Sequence, residues 1–276
     1  MPANFDRLIT AARQAISPSP QPDAAPTVCM VYIHVPGDAE HLTLTRRFVE
    51  SYLRCPPGYP HRTIVVTQGR MPDKDMRQLL MKLPGCTFYQ HDDSGWDIGG
   101  YIAVSRIISE DIGVYFCGTA FVQHVGWLKR MVDVWQKHGP GFYGSLGTYE
   151  ISPHINTTGF FCPPALLAEY PHVVRTKADR YALEHGPVDR CLWKRCLRDG
   201  IKVRIATWDG VYEWWDWRKP PNVYRRGDQS NCITFFRHSS NFGAANPKTR
   251  EFMSKLADTL TDPEFIKLKS ALTNKQ

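Results

Sequence analysis

The chain has 276 residues, with 34 lysines and arginines against 27 aspartates and glutamates, so its formal net charge is +7. Hydrophobic residues make up 42% and charged residues 22%, values typical of a folded domain rather than a disordered one. No stretch approaches the roughly 20 apolar residues of a membrane-spanning helix. The first twenty residues carry Asp6, Arg7 and Arg13 where a secretory signal has its apolar centre. We therefore expect neither an integral membrane protein nor a secreted precursor.

The cysteines and the charge indicate a compartment and a class of partner. The eight cysteines are scattered, without the paired spacing of a zinc site. We expect free, buried thiols and a reducing, cytoplasmic compartment. The basic charge is spread along the chain, which favours an anionic partner without distinguishing a nucleotide, a nucleic acid or a glycan.

Residues 1–26 are predicted to lie outside the main domain. A short apolar stripe over residues 1–16 predicts a helix, and prolines at every second position then predict an extended linker through residue 26. The expected division is therefore a leading helix and linker (1–26), a main domain (27–246) and C-terminal helices (247–276). Deletion of residues 1–24 is expected to leave the fold intact.

From residue 28 onward the hydrophobic period alternates between that of a strand and that of a helix. Such alternation with short connections predicts parallel crossovers and a doubly wound α/β sheet. The predicted strands are 28–33, 63–66, 86–89 and 114–116, and the predicted helices are 41–53, 74–83, 98–108 and 125–135.

The second half of the chain is less regular. A cap residue followed by proline predicts the starts of two final helices, at Asn246-Pro247 and Asp262-Pro263. The other predicted elements are strands at 142–146, 155–161 and 203–207 and a helix at 187–198.

Ligands of open parallel sheets bind at the carboxyl ends of the strands, which selects the segments after the first four strands. The segment after the third strand, 91–101, holds three carboxylates, three glycines and a tryptophan where a turn becomes a helix. Glycine allows a ligand to approach the backbone, and a helix start presents free N–H groups to an anion. The same residues also fit helix caps and a packing contact, and no dinucleotide-binding glycine pattern follows the first strand.

Three stretches together resemble bacterial GT-A-type glycosyltransferases, and among them the rhamnan-synthesis group. They are 95–101 (GWDIGGY), 117–119 (CGT) at a strand end, and 149–161 (YEISPHINTTGFF). The resemblance implies a GT-A-like, Rossmann-like, mostly parallel sheet flanked by helices. It also implies a nucleotide-sugar half (27–140), a less regular acceptor half (141–246), and a UDP- or GDP-sugar donor.

Two alternatives follow for the donor's diphosphate. Enzymes of this type usually carry an Asp-x-Asp-like motif after the fourth strand, which holds Mn²⁺ or Mg²⁺, and here that strand ends without a carboxylate. Either Asp92, Asp93 or Asp97 supplies metal ligands, or bases such as Arg225 and Arg226 neutralise the diphosphate. The candidate donor-binding residues are His34, Val35, Asp92, Asp93, Gly95, Trp96, Asp97, Gly99, Tyr101, Cys117, Gly118, Thr119, Arg225 and Arg226.

Glycosyl transfer with inversion also needs a carboxylate that takes the acceptor's proton. Glu184, in an acidic turn beside His185 and before a predicted helix, is the first candidate, and Asp209 is the second. Aromatic faces beside carboxylates suit sugars or a nucleobase, although tryptophan clusters also form cores. The candidate acceptor-binding residues are Asn156, Thr157, Trp214, Trp215 and Asp216.

The sequence therefore predicts a glycosyltransferase that acts on a hydroxyl acceptor, either a polysaccharide or a hydroxylated base in DNA. One alternative is an inactive, transferase-like module that binds a nucleotide or glycan, favoured by the missing strand-end carboxylate. Another is a methyltransferase, whose glycine-rich loop would be expected after the first strand, where His34-Val35-Pro36-Gly37 stands.

Overall fold

The computed structural model describes residues 25–37, 39–218, 225–227 and 229–273. The predicted leading helix and almost all of the predicted linker lie outside these residues. No helix within the described ranges is long and apolar enough to cross a membrane.

The described residues form strands and helices that alternate through the first half of the chain. The strands are β1 (Val28–His34), β2 (Arg62–Gln68), β3 (Thr87–His91), β4 (Ile112–Phe116), β5 (Ala120–Val122), β6 (Gly141–Gly144), β7 (Gly147–Thr148), β8 (His154–Ile155), β9 (Gly159–Cys162), β10 (Lys202–Ala206), β11 (Val211–Glu213) and β12 (Thr234–Phe236). The helices are α1 (Ala39–Arg54), α2 (Lys74–Leu80), α3 (Trp96–Ser105), α4 (Trp127–His138), α5 (Ala165–Ala168), α6 (Lys177–His185), α7 (Leu192–Arg198), α8 (Arg237–Ala244), α9 (Pro247–Leu256) and α10 (Asp262–Thr273), with a 3₁₀ turn at Trp214–Asp216.

The central sheet of the described residues has eight strands in the order β11-β10-β6-β9-β4-β1-β2-β3. β4, β1, β2 and β3 are mutually parallel. β9 runs antiparallel between β4 and β6, and β10 lies parallel to β6. The carboxyl ends of β1 to β4, β6 and β10 therefore share one edge. The predicted mostly parallel α/β sheet is confirmed.

Helices cover both faces of this sheet. Successive residues of β1 alternate between two buried clusters: Val31 and Ile33 face the side of α3, whereas Met30 and Tyr32 face the side of α1, α2 and α4. A strand covered on both faces has to be apolar throughout, which explains the unbroken hydrophobic run that marked β1 in the sequence.

The direction in which successive strands are added to the sheet reverses once, and this reversal creates a crevice at the edge of the sheet. β1, β2 and β3 follow one another outward, with α1 and α2 on one face. The chain then returns through α3, on the other face, to place β4 on the far side of β1. The strand order therefore switches between β1 and β4, where open α/β sheets form a crevice for ligands.

Three predictions for the second half need correction. The predicted strand 155–161 is two strands, β8 and β9, and the predicted helix 187–198 begins only at residue 192. Glu184 does not precede a helix but lies in the last turn of α6, a helix that the sequence analysis missed. A Thr176/Asp179 capping box starts α6, and its weak apolar stripe buries only Leu183.

Candidate active site

The ends of β1 and β4 lie in close contact at the switch point. A Cβ atom added to Gly118 would lie 3.1 Å from the Ile33 carbonyl oxygen, so only a very small residue fits beside β1. The Tyr32 hydroxyl lies 3.2 Å from the Gly118 carbonyl oxygen and 3.2 Å from the Thr45 hydroxyl. These contacts fix the two strand ends, which include the predicted residues Val35 and Gly118, side by side.

His34 ends β1 as a fully buried, neutral imidazole. Its Nδ1 lies 3.0 Å from the Thr45 hydroxyl. Its Nε2 is buried without a hydrogen-bond partner among the described residues. Burial lowers the pKa of His34 to about 4, because an apolar environment disfavours the charged ring.

The glycine-rich turn after β3 is pressed against the segment before α6. Gly95 has φ +73°, and a Cβ on it would overlap the Val174 carbonyl oxygen. The Gly95 N–H donates to the Arg175 carbonyl oxygen at 3.1 Å. A Cβ on Gly99 would overlap the Ser94 carbonyl oxygen at the start of α3. Both glycines are therefore required by the close packing of this turn, and Trp96 beside them is exposed.

Asp97 and Glu184, both candidates from the sequence, are joined by one arginine. Arg180 Nη1 lies 3.2 Å from Asp97 Oδ1, and Arg180 Nη2 lies 3.8 Å from Glu184 Oε1. Arg180 and Glu184 are one helical turn apart on α6, whereas Asp97 is in the first turn of α3. We call Asp97, Arg180 and Glu184 the carboxylate–arginine triad.

Burial controls the protonation of the groups around this triad. It raises the pKa of Asp97, an effect that Arg180 opposes and the charge of Glu184 reinforces. Burial, aided by the charge of Asp97, also raises the pKa of the Cys117 thiol to about 11. Cys117 is therefore a neutral thiol near neutral pH and not a nucleophile.

The loop before β9 brings Thr157 to the triad. The Thr157 hydroxyl donates to Glu184 Oε1 at 2.9 Å. The Cys117 N–H donates to the Thr158 carbonyl oxygen at 3.1 Å, which ties this loop to the end of β4. The Asn156 side chain accepts from the Thr158 N–H at 3.0 Å, so Asn156 shapes the turn. Tyr101 of α3 reaches the same loop, with its hydroxyl 3.5 Å from the Thr157 carbonyl oxygen.

A narrow, largely apolar cavity lies beside Glu184, with room for a water-sized group. Glu184, Thr157 and His154 are the polar residues of its lining, which also includes Trp193. The other lining residues are Ile98, Phe142, Ile155, Phe160, Leu167, Leu183 and Leu192. A carboxylate beside such a cavity can accept a proton from a group held within it.

His185 and Asp209, the other candidate bases, have different surroundings. The His185 ring packs edge-on against His154, with centroids 4.4 Å apart. Burial and the neighbouring His154 lower the pKa of His185 to about 4. Asp209 follows β10 at the same sheet edge but accepts the Thr207 hydroxyl at 2.5 Å, which places it in the β10–β11 turn. Neither side chain lines the cavity beside Glu184.

Arg225 and Arg226 are held by carboxylates in this structure. Arg226 Nη2 pairs with Asp258 Oδ2 at 2.8 Å, and Arg225 Nη1 lies 3.9 Å from Glu150 Oε2. These contacts tie the two arginines to the C-terminal helices and to the loop after β7. They do not bring Arg225 and Arg226 to the triad.

The aromatic segment after β11 is divided between core and surface. Trp214 is fully buried and packs against Trp193 at a centroid distance of 6.1 Å. Trp215 is partly exposed, and Lys269 Nζ lies 5.4 Å from its ring centroid. Asp216 is also partly exposed. Trp214 is therefore a core residue, and Trp215 and Asp216 remain the accessible candidates of this segment.

The aspartates suggested as metal ligands do not form a metal-binding group with other side chains in the described residues. Asp92 accepts the N–H and the hydroxyl of Ser94, at 3.0 and 2.6 Å, and Asp97 is paired with Arg180. Within the part of the chain that the structure describes, no three His, Cys, Asp or Glu side chains converge as a metal site would require.

Sequence reasoning missed Arg180 and Trp193. Arg180 could have been found from the capping box at Thr176 and Asp179, which predicts a helix and hence the Arg180–Glu184 spacing of one turn. Trp193 gave no signal, because its place in the cavity depends on six separate segments that line the cavity together.

Comparisons with known proteins give no match to a family profile or to a curated sequence. Solved structures give distant matches. S. aureus TarS has 10% identity and a TM-score of 0.46 over 67% of this chain, which spans about a third (36%) of the TarS chain. A putative glucose-1-phosphate thymidylyltransferase from Bacillus anthracis has 12% identity and a TM-score of 0.45, over 65% of this chain and 86% of that one.

A third match is a mannosyltransferase from Pyrobaculum calidifontis, solved with GDP-Man and Mn²⁺. Its identity is 12% and its TM-score 0.39, over 62% of this chain and 56% of that one. The solved structures similar to this chain thus include glycosyltransferases and a nucleotidyltransferase. Matches of this size do not assign a substrate or a reaction.

Proposed function

We propose that the protein transfers a sugar from a nucleotide-sugar donor to a hydroxyl acceptor. The observation that carries this proposal is the carboxylate–arginine triad at the topological switch point. Asp97 begins the helix that follows the glycine-rich turn, and Glu184 lines a cavity at the same edge of the sheet. Donor and acceptor would meet where these two carboxylates approach each other.

In the proposed reaction the acceptor's oxygen forms a bond to the anomeric carbon of the donor sugar. The bond from that carbon to the diphosphate oxygen breaks, and the nucleoside diphosphate leaves with the electron pair. The acceptor's proton passes to Glu184, whose carboxylate is oriented by the Thr157 hydroxyl. Arg180 Nη2 lies 3.8 Å from the same carboxylate oxygen and places a positive charge beside it.

The leaving diphosphate needs positive charge or N–H dipoles. The start of α3, after a turn that only glycine allows, carries the positive end of the helix dipole. Arg70, after β2, packs against Gly37, after β1, and so supplies a cation where these two strands end. We propose these groups for the diphosphate in place of a metal held by Asp92, Asp93 or Asp97.

A panel of UDP- and GDP-sugars, tested by thermal shift with and without Mn²⁺, examines the proposal. Ligand binding raises the melting temperature by mass action. We expect one donor to stabilise the protein and to be hydrolysed slowly, with transfer when a polysaccharide or a hydroxymethylated DNA base is added. We expect Asp97→Ala to weaken donor binding and Glu184→Gln to retain binding but lose turnover. Unchanged turnover of Glu184→Gln would reject Glu184 as the base.

A second candidate function is a module that binds a nucleotide or glycan without turnover. It is favoured by the end of β4, where Cys117, Gly118 and Thr119 stand and no carboxylate follows the strand. Saturable binding of a nucleotide sugar, with neither hydrolysis nor transfer under any of the tested conditions, would support this second function over the first.

A further inference from the structure

One residue that lines the cavity beside Glu184 carries a buried polar group that the proposed reaction does not use. Trp193 of α7 lines the cavity and is 1% exposed. Its indole Nε1 is buried and has no hydrogen-bond partner among the described residues. A buried N–H without a partner destabilises the folded state, so such groups are rare unless a ligand or water satisfies them.

The other polar groups of the cavity wall determine which kind of ligand could bind together with this N–H. Glu184 accepts the Thr157 hydroxyl through Oε1, and a carboxylate has about four acceptor positions, so it can accept again. His154 is neutral, because burial lowers its pKa to about 4. The Ser152 carbonyl oxygen, 2.9 Å from His154 Nδ1, can only accept, which places the ring proton on Nδ1.

We infer that this cavity binds one uncharged O–H group, held between the Trp193 N–H and the Glu184 carboxylate. A hydroxyl needs one donor and one acceptor, and Trp193 and Glu184 can supply this pair in a largely apolar lining. A second carboxylate or a phosphate would add negative charge beside Glu184, where Arg180 is already shared with Asp97 and the lining holds no lysine or arginine. The narrow cavity also has room for a water-sized group but not for a sugar ring.

Two sources supply such a group: a water molecule, or the reacting hydroxyl of the acceptor. Where it is the acceptor, the inference rests on the proposed function, since the hydroxyl then lies against the carboxylate that takes its proton. Trp193 is in that case a binding residue for the acceptor, and its N–H fixes the oxygen whose bond to the sugar forms.

Nuclear magnetic resonance of ¹⁵N-tryptophan-labelled, full-length protein tests the binding directly. Trp127 is the matched control, because it is also fully buried but its Nε1 donates to the Cys55 carbonyl oxygen at 3.2 Å. Trp193→Phe and Trp127→Phe identify the two indole signals. We expect a nuclear Overhauser effect from bound water at the Trp193 N–H, and a saturable shift of that signal when methanol is added.

The outcomes separate the two sources and expose a wrong inference. A water signal that methanol displaces identifies water as the resident group, and a methanol signal without prior water identifies an acceptor-like site. Both support the inference. It is overturned if the Trp193 N–H shows no water contact and responds to methanol no more than the Trp127 N–H does. The water contact and the methanol response are measured on wild-type protein, and the variants serve only to assign the two signals, so the result does not depend on any transfer activity.

Kinetics then test the role in transfer. We expect Trp193→Phe to raise the acceptor KM about tenfold, the factor for one lost hydrogen bond, and to leave the donor KM and nucleoside diphosphate binding unchanged. Trp127→Phe should change none of these. Equal increases in the donor KM and the acceptor KM of Trp193→Phe would mean that Trp193 has only a structural role, and would contradict the inference. If no donor is turned over at all, the proposed function fails, while the resonance experiment still decides the binding of the O–H group.

Discussion

Arg180 is the residue on which the candidate site depends most. It lies between Asp97 and Glu184, and its side chain is 32% exposed, so its charge is neither fully screened nor fully buried. Removal of Arg180 would leave two carboxylates facing each other in a partly buried setting, which is costly. The arginine therefore places one positive charge between the two acidic side chains.

The raised pKa of Asp97 makes stability depend on pH. An aspartate in the unfolded chain ionises near 3.8, and burial raises the pKa of Asp97 above that value in the folded protein. Above about pH 4 the folded state therefore holds a proton that the unfolded state has released. The stability that Asp97 contributes then falls as the pH rises from about 4 through the raised pKa of the folded protein. We expect the difference in the free energy of unfolding between wild type and Asp97→Asn, measured in urea, to shrink from about pH 4 upward.

Asp92→Asn is the control for that experiment. Hydrogen bonds from Ser94 lower the pKa of Asp92, which is exposed. Its contribution is therefore present above about pH 4 and lost as the pH falls, the opposite direction to Asp97. A wild-type advantage over Asp97→Asn that grows with pH would show that burial does not dominate at Asp97.

Single residues were predictable where a motif marked them. Asp97 and Thr157 stood in segments that the strand-end rule or the family resemblance selected, and Glu184 was a candidate base because of its acidic turn. The structure brings these three together. Trp214 was ambiguous, because the sequence does not tell a core tryptophan from an exposed one. Trp193 could not be found, because its unpaired N–H exists only in the folded arrangement.

At the scale of elements, the start of α3 is the most constrained. Its glycine turn packs against the backbone before α6, so the position of α3 sets that of α6 and with it the separation of Asp97 from Arg180. The same glycines that resemble a ligand-binding motif are thus needed for packing. The two interpretations of this turn from the sequence are compatible.

Gly99→Ala tests that constraint. The added methyl group would overlap the Ser94 carbonyl oxygen, so α3 has to shift. We expect a loss of about 1–3 kcal/mol in the free energy of unfolding, the usual cost of overpacking, and weaker nucleotide-sugar binding. Denaturant unfolding and isothermal titration measure the two effects.

Gly243→Ala is the matched control within a helix. Gly243 lies in α8 with no atom within 4 Å of an added Cβ. Alanine is a better helix former than glycine, so this variant should gain about 0.5–1 kcal/mol. If Gly99→Ala were as stable as Gly243→Ala, the turn would not be packed as described.

The elements of the first half were predictable because they repeat one simple pattern. Buried parallel strands have unbroken apolar runs. Helices such as α2 are predicted by a capping residue, here Asp73, followed by a stripe of apolar residues at helical spacing. In the second half β7, β8, β11 and β12 have two or three residues each. Strands that short have no period to read, and α6 buries too little apolar surface to show one.

At the scale of the whole molecule, the C-terminal helices are joined to the main domain and to the arginine pair. The Ala257 carbonyl oxygen accepts from the Tyr149 N–H at 2.9 Å. The Asp258 carboxylate pairs with both Arg218 and Arg226, at 2.9 and 2.8 Å. The proposed boundary at residue 247 therefore crosses a network of contacts around Asp258 that ties these helices to the preceding chain.

Asp258→Asn should weaken this connection. The Asp258 side chain is 17% exposed and its loss leaves two arginines without their shared carboxylate. We expect a cost of about 1–3 kcal/mol in the free energy of unfolding, measured in urea. Asp262→Asn is the control, because Asp262 pairs with the same Arg218 at 3.0 Å but is 90% exposed.

An exposed ion pair contributes little, so Asp262→Asn should change stability by no more than about 0.5 kcal/mol. Equal effects of the two variants would mean that the C-terminal helices are not held through Asp258. Unchanged nucleotide-sugar binding by Asp258→Asn is also expected, since Arg226 does not lie at the triad in this structure.

The most direct measurement is a crystal structure of the protein with the nucleotide sugar that stabilises it most. The account predicts that the diphosphate lies over the ends of β1 and β4, next to the start of α3, and that the sugar faces the Glu184 carboxylate. A nucleotide sugar bound away from this edge, with Asp97, Arg180 and Glu184 untouched, would contradict it.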